Sequence, residues 1–205
     1  MPHFSQSDIN NLGHLYKINL INSCSGYKSA NLIGTKALNG ISNVAVFSSM
    51  THIGSNPPLL GFFIRPTTVL RNTYENIKET HIFTVNHIHE NIITEAHHTS
   101  AKYPKSVSEF HVTLLEEEYK TGYDVPFVKD APIQIGMQYV EEYPIKSNNT
   151  ILLIGEIKNL FIQDNLIDAD GFVNLSKGKV ACINGLDGYA VPKLKTRLDY
   201  QRPKI

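Results

Sequence analysis

Short runs of alternating apolar and polar residues, separated by turn residues, recur along the chain. Seven runs predict strands because they are short, rich in β-branched and aromatic residues and bounded by turn signals: Ala30–Gly34, Val44–Ser48, Leu59–Ile64, Ile82–Val85, Ile133–Val140, Ile151–Ile157 and Lys179–Ile183. Asn39-Gly40 lies between the first two runs and predicts a tight hairpin, since both residues tolerate positive φ. Asp170-Gly171 is a second candidate turn. Closely spaced strands favour an antiparallel sheet or barrel over a parallel sheet with alternating helices.

Helical patterns are few. Thr73–Glu79 predicts a helix with Thr73 as its N-cap. Asn91–Lys102 predicts a second helix, which the following Tyr103-Pro104 would end. Glu116–Glu118 predicts a third, short helix. We therefore predict one mainly β domain over residues 1–205, with its core at about 24–190 and a C-terminal tail at 191–205.

Composition and charge exclude several classes of protein. The 205 residues are 41% apolar and 19% charged, which is typical of a globular domain with its own core. Lys+Arg and Asp+Glu both number 19, so the basic excess of a nucleic-acid-binding protein is absent. The 28 charge-free residues from Ala37 to Ile64 contain glycines and prolines that argue against a membrane-spanning helix. Two cysteines, Cys24 and Cys182, and an N-terminus without a signal-peptide pattern fit a reducing, cytoplasmic location.

The charge-free segment also holds the candidate chemistry. It combines hydroxyl groups, a small residue and a stiff proline pair, at Ser48, Ser49, Thr51, Gly54, Ser55 and Pro57-Pro58. The prolines make a loop that extends a sheet poorly. A stiff, uncharged loop with open backbone groups suits a flat, polar, neutral ring system. A phosphate on such a ligand would need cations from neighbouring segments, where Arg65, Arg71 and Lys102 lie.

Five motifs follow one another in a fixed order between about Asn31 and Gly155. They read Gly40, Asn43, Ala45 and Phe47-Ser48-Ser49; Ser55-Asn56-Pro57-Pro58-Leu59 with Gly61; Thr73 with Asn76-Ile77; Phe83 with Val85-Asn86; and Tyr103-Pro104 with Ser108-Glu109-Phe110. The ordered set resembles the flavin reductase-like, FMN-binding split-barrel family. No single motif carries the resemblance alone.

The resemblance implies a six-stranded antiparallel Greek-key split barrel with a few short helices, assembled as a homodimer. It implies FMN as cofactor and hydride transfer from NAD(P)H to flavin, and on to a small flavin, electron acceptor or partner. It places the cofactor-binding residues at Phe47, Ser48, Ser49, Met50, Thr51, Ser55, Asn56, Arg65, Thr73, Asn76, Asn86, His87 and Lys102. Hydride transfer requires no side-chain acid or base, so we name no catalytic residue.

Other interpretations stay open at this point. The chain can be an FMN-binding electron carrier without its own NAD(P)H activity, or a non-redox ligand-binding barrel. Asn86 can satisfy backbone groups, and Arg65 and Arg71 can be surface cations. His87-x-His89 and His97-His98 raise the question of a metal, but no third ligand is predictable from spacing, so we predict none. No G-x-G-x-x-G pattern follows a strand, so no separate nicotinamide domain is expected and the preferred nucleotide cannot be read.

The last residues carry a local basic excess. Lys193, Lys195, Arg197, Arg202 and Lys204 stand against the single Asp199. A solvated tail is the simplest interpretation. The alternative is that it binds a phosphate of flavin or nucleotide from the partner subunit.

Overall fold

Seven antiparallel strands form the main sheet of the protein, seen here in a computed structural model that describes residues 1–203. The strands of the main sheet are β2 Asn31–Lys36, β3 Ser42–Phe47, β4 Thr51–Ser55, β5 Pro58–Ile64, β6 Ile82–His87, β9 Ile133–Ile145 and β10 Thr150–Ile162. Their order in the sheet is β3-β2-β6-β9-β10-β5-β4. The smaller sheets contain β1 Lys28–Ser29, β7 Glu117–Glu118, β8 Phe127–Val128, β11 Cys182–Asn184 and β12 Gly188–Ala190.

The main sheet must curl, because its two edge strands follow one another in the chain. β3 ends at Phe47 and β4 begins at Thr51. Four peptide units span at most ~14 Å, whereas the edges of a flat seven-stranded sheet would lie ~29 Å apart at ~4.8 Å per strand. The sheet is therefore rolled into a barrel that stays open between β3 and β4. This confirms the predicted mainly β, antiparallel split barrel.

Alternation along the strands separates two apolar clusters. Ile33 and Val85 belong to the cluster inside the barrel, together with Phe62, Phe83, Met137 and Leu153. Leu32, next to Ile33, belongs to the second cluster, which also contains Val44, Ala96, Phe110 and Ile183. The second cluster packs helices and short strands against the outer face of β2 and β3. Side chains of neighbouring residues thus point to opposite faces of the sheet, as a period of two requires.

The helices are short and lie outside the barrel: α1 Gln6–Asn11, α2 His14–Cys24, α3 Asn72–Thr80, α4 Ile93–His98 and α5 Glu109–Val112, with 3₁₀ turns at Glu90–Ile92 and Asp164–Leu166. α1 and α2 bury no residue, and the sequence pattern did not predict them. α1 begins at a capping box between Ser5 and Asp8, a local signal that needs no amphipathic face.

Three local predictions are wrong, each for a physical reason. Thr51–Ser55 is a strand, so the main sheet has seven strands and not the six expected; Pro58 is tolerated because it is the first residue of β5, opposite Ser55. Thr73 is not the N-cap of α3, which is Arg71; Thr73 is buried and accepts a hydrogen bond from Asn43. Glu117–Glu118 is a strand paired with Phe127–Val128.

The Asn39-Gly40 turn lies where the sequence predicts it, whereas the C-terminal tail is only in part the free segment that was expected. Asn39-Gly40 does lie in the turn between β2 and β3, with Gly40 at a φ of 89°. Residues 191–203 have no regular secondary structure, yet part of the tail is attached to the domain. Arg197 donates a hydrogen bond to Asp170 and lies 4.1 Å from the ring centroid of Phe172. Lys204 lies outside the described residues.

Candidate functional site

A groove of about 570 Å³ runs beside β3, the edge strand of the main sheet. Its volume is within the range of small-molecule sites, ~300–1,000 Å³. Its walls are the ends of β3 and β5, the start of α3, and the segment that follows α4. Six predicted site residues line it: Phe47, Ser48, Ser49, Arg65, Thr73 and Lys102.

The outer edge of β3 presents backbone groups toward this groove. Side chains already satisfy two of them: the Val44 N–H donates to Glu109 Oε2 at 3.1 Å, and the Val46 N–H donates to Thr99 Oγ1 at 2.9 Å. Outward-facing groups alternate along a strand, so the next one in this row is the N–H of Ser48. Ser48 lines the groove. The strand edge therefore offers a backbone donor to a planar ligand.

The groove is lined in part by large apolar side chains that face solvent. Phe63 is 41% exposed, Val69 50%, Leu70 59% and Leu186 40%. Apolar side chains that are concentrated at one concave site favour an interaction there, because burying them is favourable by about 25 cal/mol per Å². A flat, largely apolar ring suits a groove with these side chains.

The groove is also strongly cationic. Arg65, Arg71, Lys102 and Lys105 line it, and none of them forms an ion pair within residues 1–203. Glu109 is the one carboxyl group in its lining. Burial raises the pKa of Glu109, while hydrogen bonds from its own backbone and from Val44 act in the opposite direction. The groove thus has an excess of positive charge suited to an anionic ligand.

Arg71 marks the strongest anion position within the groove. It is the N-cap of the nine-residue α3, which has no side-chain cap, so N–H groups of the first turn stay free. The buried Nε of Arg71 has no hydrogen-bond partner among the described residues. A buried unpaired donor costs about 1–3 kcal/mol. A phosphate here would satisfy both the arginine and the positive end of the helix dipole.

Two of the predicted residues use their hydroxyl groups to build the groove. Ser49 Oγ accepts a hydrogen bond from the Phe63 N–H at 3.0 Å and so ties the end of β3 to β5. Thr73 Oγ1 accepts one from Asn43 Nδ2 at 3.1 Å, which fixes the start of α3 against β3. Both residues line the groove, but these contacts alone explain why the hydroxyls are there.

Four predicted residues lie on or next to the β4–β5 hairpin, outside the groove lining. Thr51, Ser55 and Asn56 are exposed. Met50 packs against the barrel interior and its carbonyl accepts a hydrogen bond from Ser29. The loop that was expected to surround a ring is instead largely strand, which moves these side chains away from the groove.

Three more predicted residues point into the protein. Asn76 donates from Nδ2 to Thr35 Oγ1. The Asn86 amide donates to the Leu32 carbonyl and accepts from the Val128 N–H, so it satisfies the backbone. His87 Nδ1 is buried without a partner among residues 1–203, and burial lowers the pKa of His87 to about 4. The groove does not include these residues.

Several groove residues were not among the predicted site residues: Val69, Leu70, Thr99, Lys105 and Leu186. Arg71 also lines the groove, and it is one of the three cations that the sequence offers as candidates for a phosphate. Lys105 follows Tyr103-Pro104, one of the recognised motifs. No signal in the sequence points to Leu186, because the β11–β12 hairpin brings it to the groove from more than 80 positions beyond Lys105.

Two other features bear on function. Within the described part of the chain, no group of three or more His, Cys, Asp or Glu side chains is arranged to hold a metal ion. No helix among residues 1–203 is both long and apolar enough to cross a membrane.

Comparisons with known proteins agree with this geometry. The family model "Flavin reductase like domain" matches residues 28–176. A split-barrel protein from Shewanella frigidimarina NCIMB 400, assigned as a flavin reductase, is 41% identical; the match covers 98% of this chain and 100% of that one, with a TM-score of 0.94.

Two more distant structures share the fold alone. Nitrilotriacetate monooxygenase component B from Bacillus cereus is 21% identical, with 97% and 98% of the chains covered and a TM-score of 0.84. Flavoredoxin of Desulfovibrio vulgaris (Miyazaki F) is 17% identical, with 85% and 91% covered and a TM-score of 0.74.

Because the family match spans well over half of the sequence, this chain belongs to the family of proteins with a flavin reductase like domain.

Proposed function

We propose that the groove beside β3 binds FMN and that the protein is an NAD(P)H-dependent flavin oxidoreductase. The observation that carries the proposal is the combination of three chemistries in the lining of one groove. Exposed apolar side chains, a strand edge with a backbone donor at Ser48, and a free cationic helix start at Arg71 all line it. An isoalloxazine ring, a polar chain and a phosphate present the matching chemistry.

The chain's residues fit the phosphate of FMN in particular. The unpaired buried Nε of Arg71 gains a partner, and the uncapped N-terminus of α3 gains an anion. Arg65, which follows the last residue of β5, also lines the groove. Riboflavin, which has the ring and the polar chain but no phosphate, would leave these donors unpaired. The site therefore favours FMN over riboflavin.

The residues of the groove would bind the flavin, orient it and exclude water from it. Phe63, Val69 and Leu70 would cover apolar ring surface, while Ser48 would donate from its backbone. Glu109 holds the strand edge in place by accepting from Val44. When bound, the flavin would supply the redox chemistry, as an acceptor of hydride from the nicotinamide and a donor of electrons to the acceptor. Since no second nucleotide domain is present in residues 1–203, the nicotinamide nucleotide would bind at the open side of the same groove.

An apolar row on the outer face of the barrel supports a homodimer. Phe63 on β5 pairs in register with Leu152 on β10, and Leu152 pairs with Tyr143 on β9. Ile53 on β4 contacts the same face. Ile53 and Phe63 are each 41% exposed, and Tyr143 is 50% exposed. Phe63 also lines the groove, so a second copy on this row would border the flavin site. Light scattering after size exclusion measures the mass directly, and a monomer would contradict this part of the proposal.

Anaerobic reduction tests the activity. The FMN-loaded protein is mixed with NADH and, separately, with NADPH, and the flavin absorbance near 450 nm is followed. Bleaching by at least one nucleotide is the expected result. Flavin that resists both nucleotides and is bleached by dithionite would support an electron carrier instead. A protein that binds no flavin would leave a non-redox ligand-binding barrel.

A further inference from the structure

The groove holds more positive charge than the phosphate of FMN can neutralise. A phosphate monoester carries about −1.5 to −2 charges at pH 7. Four cations line the groove against the single Glu109 carboxyl group, and no carboxylate among residues 1–203 forms an ion pair with any of the four. At least one further cationic position is therefore left over when the flavin phosphate is bound.

The four cations fall into two groups on different segments. Arg65 and Arg71 flank the chain between β5 and α3. Lys102 and Lys105 lie on the segment after α4. Only the first group includes the free helix N-terminus and the buried unpaired Nε, so the flavin phosphate belongs there. Lys102 and Lys105 remain without an assigned partner.

The lysine segment is held in a defined conformation. Tyr103, between the two lysines, has its hydroxyl 2.6 Å from His98 Nε2, and the two rings stack at 29°. The Val107 N–H donates to the Pro104 carbonyl and closes a turn around Lys105. Lys105 is half-buried although it has no hydrogen-bond acceptor among the described residues. Two lysines on one fixed segment beside a groove, Lys102 exposed and neither paired with a carboxylate among residues 1–203, favour an anionic ligand near them.

We propose that Lys102 and Lys105 bind a second phosphate group in this groove, separate from the flavin phosphate at Arg71. The inference rests on the proposed function. Two ligands of a flavin oxidoreductase can supply such a group: the 2′-phosphate of NADPH, which NADH lacks, and the adenylate half of FAD, which FMN lacks. Both have the same chemistry, a nucleotide phosphate beside the flavin. We expect the 2′-phosphate of NADPH to be the source, because FMN, with its phosphate at Arg71, already occupies the flavin position in the groove.

Equilibrium binding to the Lys102→Ala/Lys105→Ala variant tests this proposal without turnover. NADP⁺ and NAD⁺ are titrated into the FMN-loaded protein by calorimetry, and FMN and FAD are titrated into the flavin-free protein. In the parent protein NADP⁺ should bind at least about tenfold more tightly than NAD⁺, as one charge-assisted hydrogen bond is worth at least that factor. The variant should bind the two nucleotides equally, and its FMN affinity should fall by a much smaller factor than its NADP⁺ affinity.

The control variant is Lys129→Ala/Lys177→Ala, which removes the same charge outside the groove. It should keep the preference for NADP⁺, which separates local binding from net charge. A loss of FAD affinity alone in the groove variant would assign the second phosphate to FAD. Unchanged NADP⁺ and FAD affinities, or a loss of FMN affinity as large as that of NADP⁺, would overturn the proposal. A parent protein that binds no FMN would refute the proposed function itself, and this inference with it.

Discussion

Arg71 offers a test in which ligand affinity and stability should move in different directions. Its Nε is buried and unpaired, at the N-cap of a helix that has no side-chain cap. Arg71→Met keeps a long, apolar stem but removes the guanidinium. In the flavin-free protein this change removes an unsatisfied donor. In the FMN complex it removes the cation that we place against the phosphate.

The magnitudes follow from these two roles. Leaving a buried donor unpaired costs about 1–3 kcal/mol, so the flavin-free variant should be as stable as the parent or more stable. A hydrogen bond to a charged group is worth about 1.5–3 kcal/mol. FMN affinity should therefore fall about 10- to 150-fold. Riboflavin affinity should change by no more than about threefold, because riboflavin has no phosphate.

The assay combines flavin fluorescence titration with thermal unfolding, both with and without ligand. Arg197→Met is the matched control, since Arg197 forms its ion pairs with Asp168 and Asp170, outside the groove. It should leave the affinity for FMN unchanged. Equal losses of FMN and riboflavin affinity in Arg71→Met would refute the placement of the phosphate. A flavin-free variant that is clearly less stable than the parent would refute the interpretation of Nε as an unpaired donor.

Three further predictions concern the groove and the barrel interior. Ser48→Glu should weaken FMN binding at least about tenfold, because it places bulk and negative charge in the groove, whereas Thr51→Glu on exposed β4 should not; equal effects in a titration would move the site toward the hairpin. Asn86→Ala should cost about 2–4 kcal/mol of unfolding free energy in urea, as it leaves the Leu32 carbonyl and the Val128 N–H unpaired; loss of flavin without loss of stability would instead make Asn86 a ligand. Burial lowers the pKa of His87 from an ordinary 6.5 to about 4 in the folded protein. The free energy of unfolding should therefore be unaffected by His87 above pH 6.5 and should fall by about 3 kcal/mol as the pH drops to 4. His87→Gln should remove this part of the pH dependence, and an unchanged pH profile in urea titrations would contradict the assignment.

Local patterns predicted the architecture well where each strand has a period of two and ends at a turn. β2 and β3 with the Asn39-Gly40 turn are the clearest case. β4 was missed because Thr51–Ser55 is mostly exposed and holds a single large apolar residue, Ile53, so it has no apolar alternation to detect. α1 and α2 were missed for the same reason, as they bury no residue.

The candidate site was predictable only in part, because motif residues and groove residues are not the same set. Ser48 and Ser49 lie in a motif and at the groove, since the end of an edge strand is open to ligands. Asn86 lies in a motif because the strand packing needs its amide. Lys105 and Leu186 come to the groove through tertiary structure, and neither sequence spacing nor residue type distinguishes them from surface residues.

The most direct test of the central claim is an absorbance spectrum of the flavin-free protein after incubation with FMN and removal of unbound ligand. The account predicts a flavin spectrum with bands near 370 and 450 nm, at about one FMN per chain, and much weaker retention of riboflavin. A colourless protein under these conditions would contradict FMN binding at the groove beside β3.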